Sequence, residues 1–313
     1  MELRRRLFID KRVSGRKKKM AQFDGQFKKM SGSLGQLTFR RVGTKTYVSE
    51  KVTSTTNTRT SAQQKHRMKW PNLIITGKWV CKFLRGAFED KPEGSSDYNM
   101  FVKTNFAASK VYLTKSEAGA NACVAAPYQI TTGSLESIVL TGEAGASVTN
   151  ITLGRLDITA DTTVRVFSNA VVTNNVDYNY GDQISFIWVE QLVDPITGYP
   201  RCKFHGEYVV LDKTSEVTLR SLVSEIGFSV MSGNLACSLG DGFQGAYAWV
   251  HSRKGEGHTL VSSQVLVVKN TLYDEYSTEE AYQRAVATYG GESDSFLTPE
   301  DQQVPNLRRG GDV

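Results

Sequence analysis

The segment "DQISFIWVEQLVDPITGYPRCKFHGEYVVL" (Asp182 to Leu211) decides the fold class. Two runs of mostly β-branched, aromatic and other apolar residues flank Asp194–Pro200, where the proline and glycine residues are typical of a turn. The segment therefore predicts an antiparallel β-hairpin, with strands at Gln183–Glu190 and Arg201–Leu211.

The chain beyond residue 110 shows the same pattern of short β-branched runs, which are separated by Gly, Asn and Asp. A second predicted hairpin, Gln244–Val268, turns at the glycine-rich residues 254–257 and contributes strands at Gly245–Ser252 and Thr259–Val268. The other predicted strands are Val111–Thr114, Leu135–Thr141, Ser147–Leu153, Phe228–Met231 and Leu235–Ser238. Their spacing predicts an antiparallel sandwich or barrel.

Residues 32–52 predict a further hairpin. Gln36–Arg41 alternates apolar and polar residues, Thr46–Val52 is β-branched and aromatic, and residues 42–44 between them supply turn chemistry. Arg41, Lys45 and Lys51 place positive charge on this hairpin.

Helices are predicted after this hairpin in the chain. Thr60 with Gln63 three residues later matches a capping box, which predicts a helix at about 60–70. Pro71 is expected to end or kink that helix because proline lacks a backbone donor, and a second helical piece is expected at 72–88. Further helices are predicted at Ser95–Phe106, around Val164–Val171, and from Ser277 to just before Gly290.

These elements predict a mainly β (α+β) fold, in which a basic N-terminal arm, a hairpin and helices precede an antiparallel β-sandwich-like body. The expected divisions are a basic flexible arm at 1–30, the hairpin and helical segment at 31–109, the β-rich body at 110–290 and a disordered tail at 291–313. Met20 would also make a reasonable start, so residues 1–19 are open to being an over-long reading of the gene.

Positive charge is concentrated at the front of the chain. Residues 1–85 hold 22 of the 38 Lys and Arg residues but only four of the 32 acidic ones, a net charge of +18 there and −12 in the remainder. A start at Met20 would still leave +11. Like charges at that density repel one another in a compact state unless counter-ions or a partner neutralise them. The sequence therefore predicts an anionic partner.

The segment "NTRTSAQQKHRMKW" (Asn57 to Trp70) carries four of these cations and no acid. The residues predicted to bind nucleic acid are Arg40, Arg41, Lys45, Arg59, Gln63, Lys65, Arg67 and Lys69. Their cations would contact phosphates, and Trp70 or Tyr47 would stack on bases. If about six phosphates were neutralised, affinity would fall with salt at a log–log slope near −5. The alternative, charges that only solvate a helix face, explains poorly why compensating acids are missing over 85 residues.

No pattern predicts catalysis, a metal or a cofactor. Ser238–Gly245 is glycine-rich but lacks the strand–turn–helix context of a hydrolase nucleophile, and Gly32–Leu37 lacks the Lys-Ser/Thr of a phosphate loop. His251 and His258 flank one hairpin tip and could approach each other, but no carboxylate or cysteine is placed to complete a site. We therefore expect surface histidines and a protein that is not an enzyme.

The cysteines and the hydropathy pattern indicate a compartment. Scattered cysteines without CxxC spacing argue against zinc and are typical of buried thiols in a reducing compartment; they are Cys81, Cys123, Cys202 and Cys237. No apolar run approaches the roughly 18 residues of a membrane span, and the basic N-terminus lacks the apolar core of a secretory signal. We expect no membrane partner and a cytoplasmic location, or a place in a virion if a phage encodes the protein.

Two segments follow recognisable patterns. The first, N-x-R-T-x-x-Q-x-x-x-R, falls on Asn57, Arg59, Thr60, Gln63 and Arg67, and the second, Y-N-x-F-x-x-x-N, falls on Tyr98, Asn99, Phe101 and Asn105. With these segments the chain resembles an uncharacterised family of bacterial and phage-associated proteins. The resemblance covers roughly residues 23–106, and more loosely "YGDQISFIWV" and "VSSQVLVVKNTLY". It implies a glycine-rich hairpin, a β-rich C-terminal part and a gut-bacterial or phage origin, but no reaction.

Together these features predict a non-enzymatic structural or assembly protein, such as a phage virion or mobile-element component. Its basic N-terminal third would contact DNA, RNA or an acidic neighbouring subunit, and the protein would form a homo-oligomer. The alternative is a sequence-tolerant DNA- or RNA-binding accessory protein, since no helix-turn-helix, finger or RNA-binding signature is present.

Overall fold

The computed structural model describes residues 21–23, 31–54, 60–143, 146–271 and 279–290. The chain divides into two compact units: residues 1–58 with 92–96 form the first, and residues 59–91 with 97–313 form the second. The predicted arm at 1–30 and tail at 291–313 lie outside the described residues, except for Ala21–Phe23. Their flexibility, and the predicted boundary at residue 110, stay predictions.

The first unit holds a four-stranded antiparallel sheet. Its strands are β1 (Ala21–Phe23), β2 (Gly32–Leu34), β3 (Leu37–Val42) and β4 (Lys45–Glu50), in the order β1-β4-β3-β2. Val42 lies opposite Lys45, which leaves a two-residue turn, and its first residue Gly43 has a φ of 61° that glycine adopts without strain. The hairpin predicted from residues 36–52 is confirmed.

The described part of the second unit contains five α-helices, one 3₁₀ helix (Leu219–Ser221) and eleven strands. The helices are α1 (Ser61–Phe83), α2 (Asp97–Asn105), α3 (Lys115–Gly119), α4 (Val164–Asn174) and α5 (Glu279–Ala287). The first six strands are β5 (Gln129–Thr131), β6 (Leu140–Glu143), β7 (Ala146–Thr152), β8 (Gln183–Val193), β9 (Pro200–Val210) and β10 (Ser229–Met231). The others are β11 (Asn234–Ala236), β12 (Gly245–Lys254), β13 (Thr259–Val261), β14 (Gln264–Val265) and β15 (Val267–Lys269).

The antiparallel pair β8–β12 forms the centre of the second unit. It lies in a five-stranded sheet of order β13-β12-β8-β9, in which β15 also pairs with β12. Register is continuous from Gly245 opposite Glu190 to Ser252 opposite Gln183. Six consecutive residues of β8, from Ile184 to Val189, are buried, so both faces of the sheet are covered.

Different layers cover the two faces. Phe186 and Trp188 belong to one core with α4 and the small sheet β10-β11-β7-β6. Ile187 and Val189 belong to the other core, with Val80 of α1 and Phe101 of α2. The body is a central sheet between a helical layer and a mixed layer, and the mainly β (α+β) prediction is confirmed.

The two helical pieces predicted around Pro71 are one 23-residue helix, α1, so the expectation that Pro71 ends the helix is wrong, and the alternative of a kink stays a prediction. Proline lacks the N–H that would bond to the carbonyl four residues earlier, here that of Arg67. The main-chain N–H of Leu113 donates to the neighbouring carbonyl, that of Met68, at 2.9 Å, so a segment outside the helix binds the turn before Pro71. The capping box of Thr60 and Gln63 is confirmed. None of the helices in the described ranges has the length and hydropathy that crossing a lipid bilayer requires.

Three predicted strands differ from the structure. Val111–Thr114 is not a strand, because Leu113 bonds to α1 and Thr114 caps α3 by accepting from the N–H of Glu117 at 3.2 Å. The strand predicted from Leu135 begins only at Leu140. Thr259–Val268 divides into β13, β14 and β15, since β14 leaves the central sheet to pair with β5. The other predicted strands, and the helices at α2, α4 and α5, are confirmed to within a few residues; Ser277 lies outside the described residues.

The cysteines are free thiols, of which Cys123 and Cys237 are buried and Cys81 and Cys202 are half-buried. Burial raises the pKa of the Cys81 thiol to about 12, and the neighbouring charge of Asp97 acts in the same direction. The expectation of buried thiols therefore holds for two residues and in part for the other two.

Gly77 lies in the middle of α1, where α2 crosses it. A Cβ at this position would lie 2.6 Å from Cδ1 of Phe101 and 3.3 Å from Cε2 of Tyr98. The glycine therefore permits a close approach of the two helices, which outweighs its low helix propensity.

Gly77→Ala should destabilise the protein by about 1–3 kcal/mol, although alanine normally favours a helix, because the added methyl group would overlap the ring of Phe101. Gly119→Ala is the matched control, since nothing lies within 4 Å of a Cβ at that helical glycine. Urea unfolding of both variants measures the difference. Equal stability of the two would contradict the close-packing interpretation.

Candidate functional site

Contacts with α5 hold the first half of α1. Met68 is fully buried against Ala285 and Val286, and the side-chain amide of Gln64 donates to the carbonyl of Gly290. Residues three and four apart share a helix face. These anchors therefore fix the direction of the basic and aromatic residues on the rest of this half-helix.

Lysines alternate with aromatic rings beside these anchors. Lys65 Nζ lies 5.2 Å from the ring centroid of Tyr282, and Lys69 Nζ lies 5.1 Å from that of Tyr112. The two tyrosine rings meet edge to face at 4.9 Å. An ammonium group within about 6 Å of a ring centroid is attracted by the negative face of the ring. We call this surface the aromatic–lysine strip; its members are Lys65, His66, Lys69, Trp70, Phe106, Tyr112 and Tyr282.

The strip continues around Phe106. The centroid of this ring lies 5.9 Å from Lys69 Nζ, 4.7 Å from the ring of His66 and 5.9 Å from the ring of Trp70. His66 is exposed, and Trp70 is 44% exposed despite its size. Two aromatic side chains therefore present open surface beside a lysine, which is the arrangement on which a nucleic-acid base can stack.

The partners of the strip lysines are neutral. Besides the rings, Lys69 Nζ lies 3.5 Å and 3.4 Å from the carbonyl oxygens of Phe106 and Ala107. Across the described ranges, neither Lys65 nor Lys69 forms an ion pair with a carboxylate. α1 itself carries five Lys and Arg residues and no Asp or Glu. Among the described residues, rings and carbonyl oxygens thus hold these lysines, and no carboxylate forms an ion pair with them.

Two other predicted residues of α1 have structural contacts. The side-chain carbonyl of Gln63 accepts from the main-chain N–H of Thr60 at 3.3 Å, as part of the capping box. Arg67 Nη1 donates to Oε1 of Gln64 at 3.2 Å. Gln63 thus has the capping role that its spacing from Thr60 predicts, and Arg67 contacts an amide of its own helix. Phosphate binding by either residue stays a prediction. Arg59 lies outside the described residues.

The remaining predicted residues belong to the first unit. Arg40, Arg41 and Lys45 are exposed on β3 and β4, and Arg40 lies opposite Tyr47 in the ladder. Arg41 Nε donates to the carbonyl of Gly43 at 3.0 Å. Their part in binding nucleic acid stays a prediction.

A buried polar cluster that the sequence analysis missed lies at the start of β8. Asp182 is fully buried and accepts from Arg253 Nε at 2.7 Å, from His251 Nε2 at 2.8 Å and from the N–H of Asn179 at 2.8 Å. Arg253 Nη2 adds a second bond at 2.7 Å, and the ring of Tyr178 stacks on His251 at 4.2 Å. The carboxylate is saturated with donors and closed to solvent, so its role is structural.

The expectation of a surface histidine at position 251 is therefore wrong, whereas His258 is exposed. The alternation of β12 contained the missing signal, because Tyr247, Trp249 and His251 share one face and the two aromatic residues are core residues. Within the described part of the chain, no group of three or more His, Cys, Asp or Glu residues is arranged to hold a metal ion.

Comparisons with protein families, with curated proteins and with solved structures gave no match to this chain. The family resemblance seen in the sequence stays a prediction, and a functional assignment rests on the side chains described above.

Because of Asp182, the free energy of unfolding should depend on pH in the acid range. Burial alone would raise its pKa, but the hydrogen bonds from Arg253 and His251 outweigh this effect and lower the pKa from 3.8 to about 2. A lowered pKa stabilises the fold above the unfolded-state pKa, and that contribution is lost as pH falls through the folded-state pKa. It amounts to about 2 kcal/mol, present above about pH 4 and lost towards about pH 2.

Asp182→Asn should cost about 3–5 kcal/mol at neutral pH, because Arg253 would lose its buried counter-charge, and it should flatten the acid limb of the stability profile. Urea unfolding across the acid range measures both effects. Asp161→Asn, at an exposed position, is the control that should retain the wild-type profile. An unchanged acid limb in the Asp182 variant would show that other carboxylates set the acid sensitivity.

Proposed function

We propose that this protein is a non-enzymatic structural or assembly protein that binds nucleic acid through the aromatic–lysine strip. One observation carries the proposal: rings and carbonyl oxygens hold Lys65 and Lys69, on a helix that contains no acidic residue. A phosphate can neutralise such lysines without first displacing a carboxylate, and the ordering of their side chains is already accomplished in the free protein.

The rings of the strip favour single strands over duplexes as the ligand. Side chains with open aromatic surface, His66 and Trp70, flank Lys69, and a single strand presents unstacked bases next to its phosphates. A duplex offers phosphates but keeps its bases stacked inside. Such contacts read no particular sequence.

The charge distribution supports a role in assembly. With +18 in residues 1–85 and −12 in the remainder, copies of the chain can neutralise one another, or together neutralise packaged nucleic acid. A phage virion or mobile-element component must neutralise charge in this way when its copies assemble. A DNA- or RNA-binding accessory protein that acts alone is the alternative, and measurement of particle size with and without nucleic acid distinguishes the two.

The buried cluster does not provide a general base. Asp182 and His251 form a carboxylate–imidazole pair, but both are closed to solvent. A general base must reach the proton that it removes from a substrate. This pair has no such access.

Lys65→Gln/Lys69→Gln should weaken binding to a single-stranded oligonucleotide and reduce the log–log salt slope by about 1.4, since each phosphate contact on a single strand contributes about 0.7. Fluorescence anisotropy across a salt series measures both quantities. Lys78→Gln/Lys82→Gln is the matched control, because it removes the same charge from exposed positions on the same helix.

The control variant should keep most of the wild-type affinity and slope. Equal losses in both variants would mean that only net charge matters and that the strip is not the site. If the wild-type protein did not bind the oligonucleotide but did bind an acidic protein, the partner of the strip would be a protein and not nucleic acid.

Trp70→Ala should weaken single-strand binding by about 1–3 kcal/mol, the typical contribution of one base–aromatic stack, and leave duplex binding nearly unchanged. Tyr180→Ala is the control, since Tyr180 is also 44% exposed but lies outside the strip. The same anisotropy assay, with strands of equal length, tests this selectivity. Parallel losses on single strands and duplexes would exclude stacking on Trp70.

A further inference from the structure

The two edges of the central sheet differ in form. On one side, short strands of three residues each, β13 and β15, pair with β12, and β14 between them turns away to β5. The opposite edge is β9, whose eleven residues pair with β8 in one unbroken register from Pro200 to Val210. One edge is thus interrupted, and the other is long and regular.

The alternation of hydrogen bonds along the strands shows which main-chain N–H and C=O groups of β9 point away from the sheet. The N–H of Gln191 donates to the carbonyl of Gln244, so odd-numbered residues of β8 bond towards β12 and even-numbered ones towards β9. Trp188 lies opposite His205 in the β8–β9 register. The odd-numbered residues of β9 therefore bond to β8, and the even-numbered residues direct their N–H and C=O groups to the outer edge.

From Phe204 onwards, none of the described strands pairs with this outer edge. Pro200 accepts from the N–H of Cys123, which covers the beginning of the strand. Within the described ranges, the outward main-chain groups of Phe204, Gly206, Tyr208 and Val210 have no hydrogen-bond partner. Tyr208 is 51% exposed and Val210 is 41% exposed.

Soluble proteins usually protect such an edge with proline, lysine, a bulge or a covering segment. Pro200 and Lys203 lie near the beginning of β9, but the segment from Phe204 to Val210 contains neither residue type, and its register has no bulge. An edge of this length and regularity is a template for another strand.

We propose that β9 pairs with β9 of a second copy, antiparallel across a twofold axis, and joins two central sheets into one. In the register that we propose, Gly206 lies opposite Gly206 of the second copy. The proposal does not depend on nucleic-acid binding, and it gives the predicted homo-oligomer a defined interface.

This register is self-complementary on both faces of the strand. On the α1 side, Phe204 would face Tyr208 of the second copy; Phe204 already stacks on Trp79 at 5.3 Å, and Tyr208 meets Phe83 edge to face at 6.3 Å. Aromatic cross-strand pairs stabilise antiparallel sheets. The twofold axis falls on Gly206. A Cβ at this position would lie 2.6 Å from Cζ of Phe83, so the glycine leaves room for that ring.

On the other face, His205 would lie opposite Glu207 of the second copy. Within one chain, His205 Nε2 lies 3.4 Å from Glu190 Oε2, and Glu207 Oε2 accepts from the N–H and the hydroxyl of Ser224. A cross-strand bond from the imidazole would therefore use the second carboxylate oxygen of Glu207, Oε1. The neighbouring symmetric registers lose this pair. One places Glu207 opposite Glu207, which is repulsive, and the other places His205 opposite His205. Side-chain chemistry therefore favours the register centred on Gly206.

Light scattering on the full chain tests the interface. The wild-type protein should have twice the 34.7-kDa mass of one chain, or a multiple of that dimer. Tyr208→Lys should shift the mass towards one chain, because lysines on an edge strand oppose strand pairing. Met231→Lys is the control at a similarly exposed position, 44% exposed, on the small sheet, and it should not change the mass.

Cysteine cross-linking tests the register. A mixture of His205→Cys and Glu207→Cys chains should form disulfide-linked dimers under mild oxidation by oxidised glutathione, whose disulfide accepts the electrons of the two thiols. Each variant alone, and the wild-type chain, should not. Linkage by Glu207→Cys alone or by His205→Cys alone would identify a neighbouring register and overturn the one proposed. A monomeric wild-type protein, or an oligomer insensitive to Tyr208→Lys, would overturn the interface.

Discussion

The second unit depends on the burial of one antiparallel strand pair on both faces. Because β8 and β12 are covered on both sides, neither strand can be half polar, and β8 is buried without interruption from Ile184 to Val189. The helix α1 must then cover one face and α4 with the small sheet the other. β9 is an edge because β8 has β12 as its other neighbour.

Much of this architecture could be predicted from the sequence, because local chemistry determines it. The hairpin of β8 and β9 follows from two apolar runs around a Pro/Gly turn, and the start of α1 follows from Thr60 and Gln63. The errors arose where a distant segment decides the outcome. Pro71 lies inside α1, and the N–H of Leu113, remote in sequence, donates to the carbonyl of Met68 in the turn before it. His251 can be buried because the carboxylate of Asp182 pairs with Nε2 of its ring, and Arg253 neutralises that carboxylate.

The candidate site shows the same division. The cations of α1 and the absence of acids are visible in the sequence, but the identity of their partners is not. Tyr112 and Tyr282 come from segments far apart in the chain, and only the fold brings them to Lys69 and Lys65. A sequence pattern can show that charge is uncompensated; it cannot show that rings rather than carboxylates hold that charge.

The placement of α1 also constrains how the chain is made. The helix is synthesised early, yet Val80 packs in the same core as Ala246 and Val250 of β12, and Met68 packs against α5. On a ribosome, the apolar face of α1 emerges long before the strands and the helix that bury it. Contacts of such large sequence separation form slowly and leave hydrophobic surface uncovered in the meantime. Completion of this core therefore waits for the C-terminal third of the polypeptide.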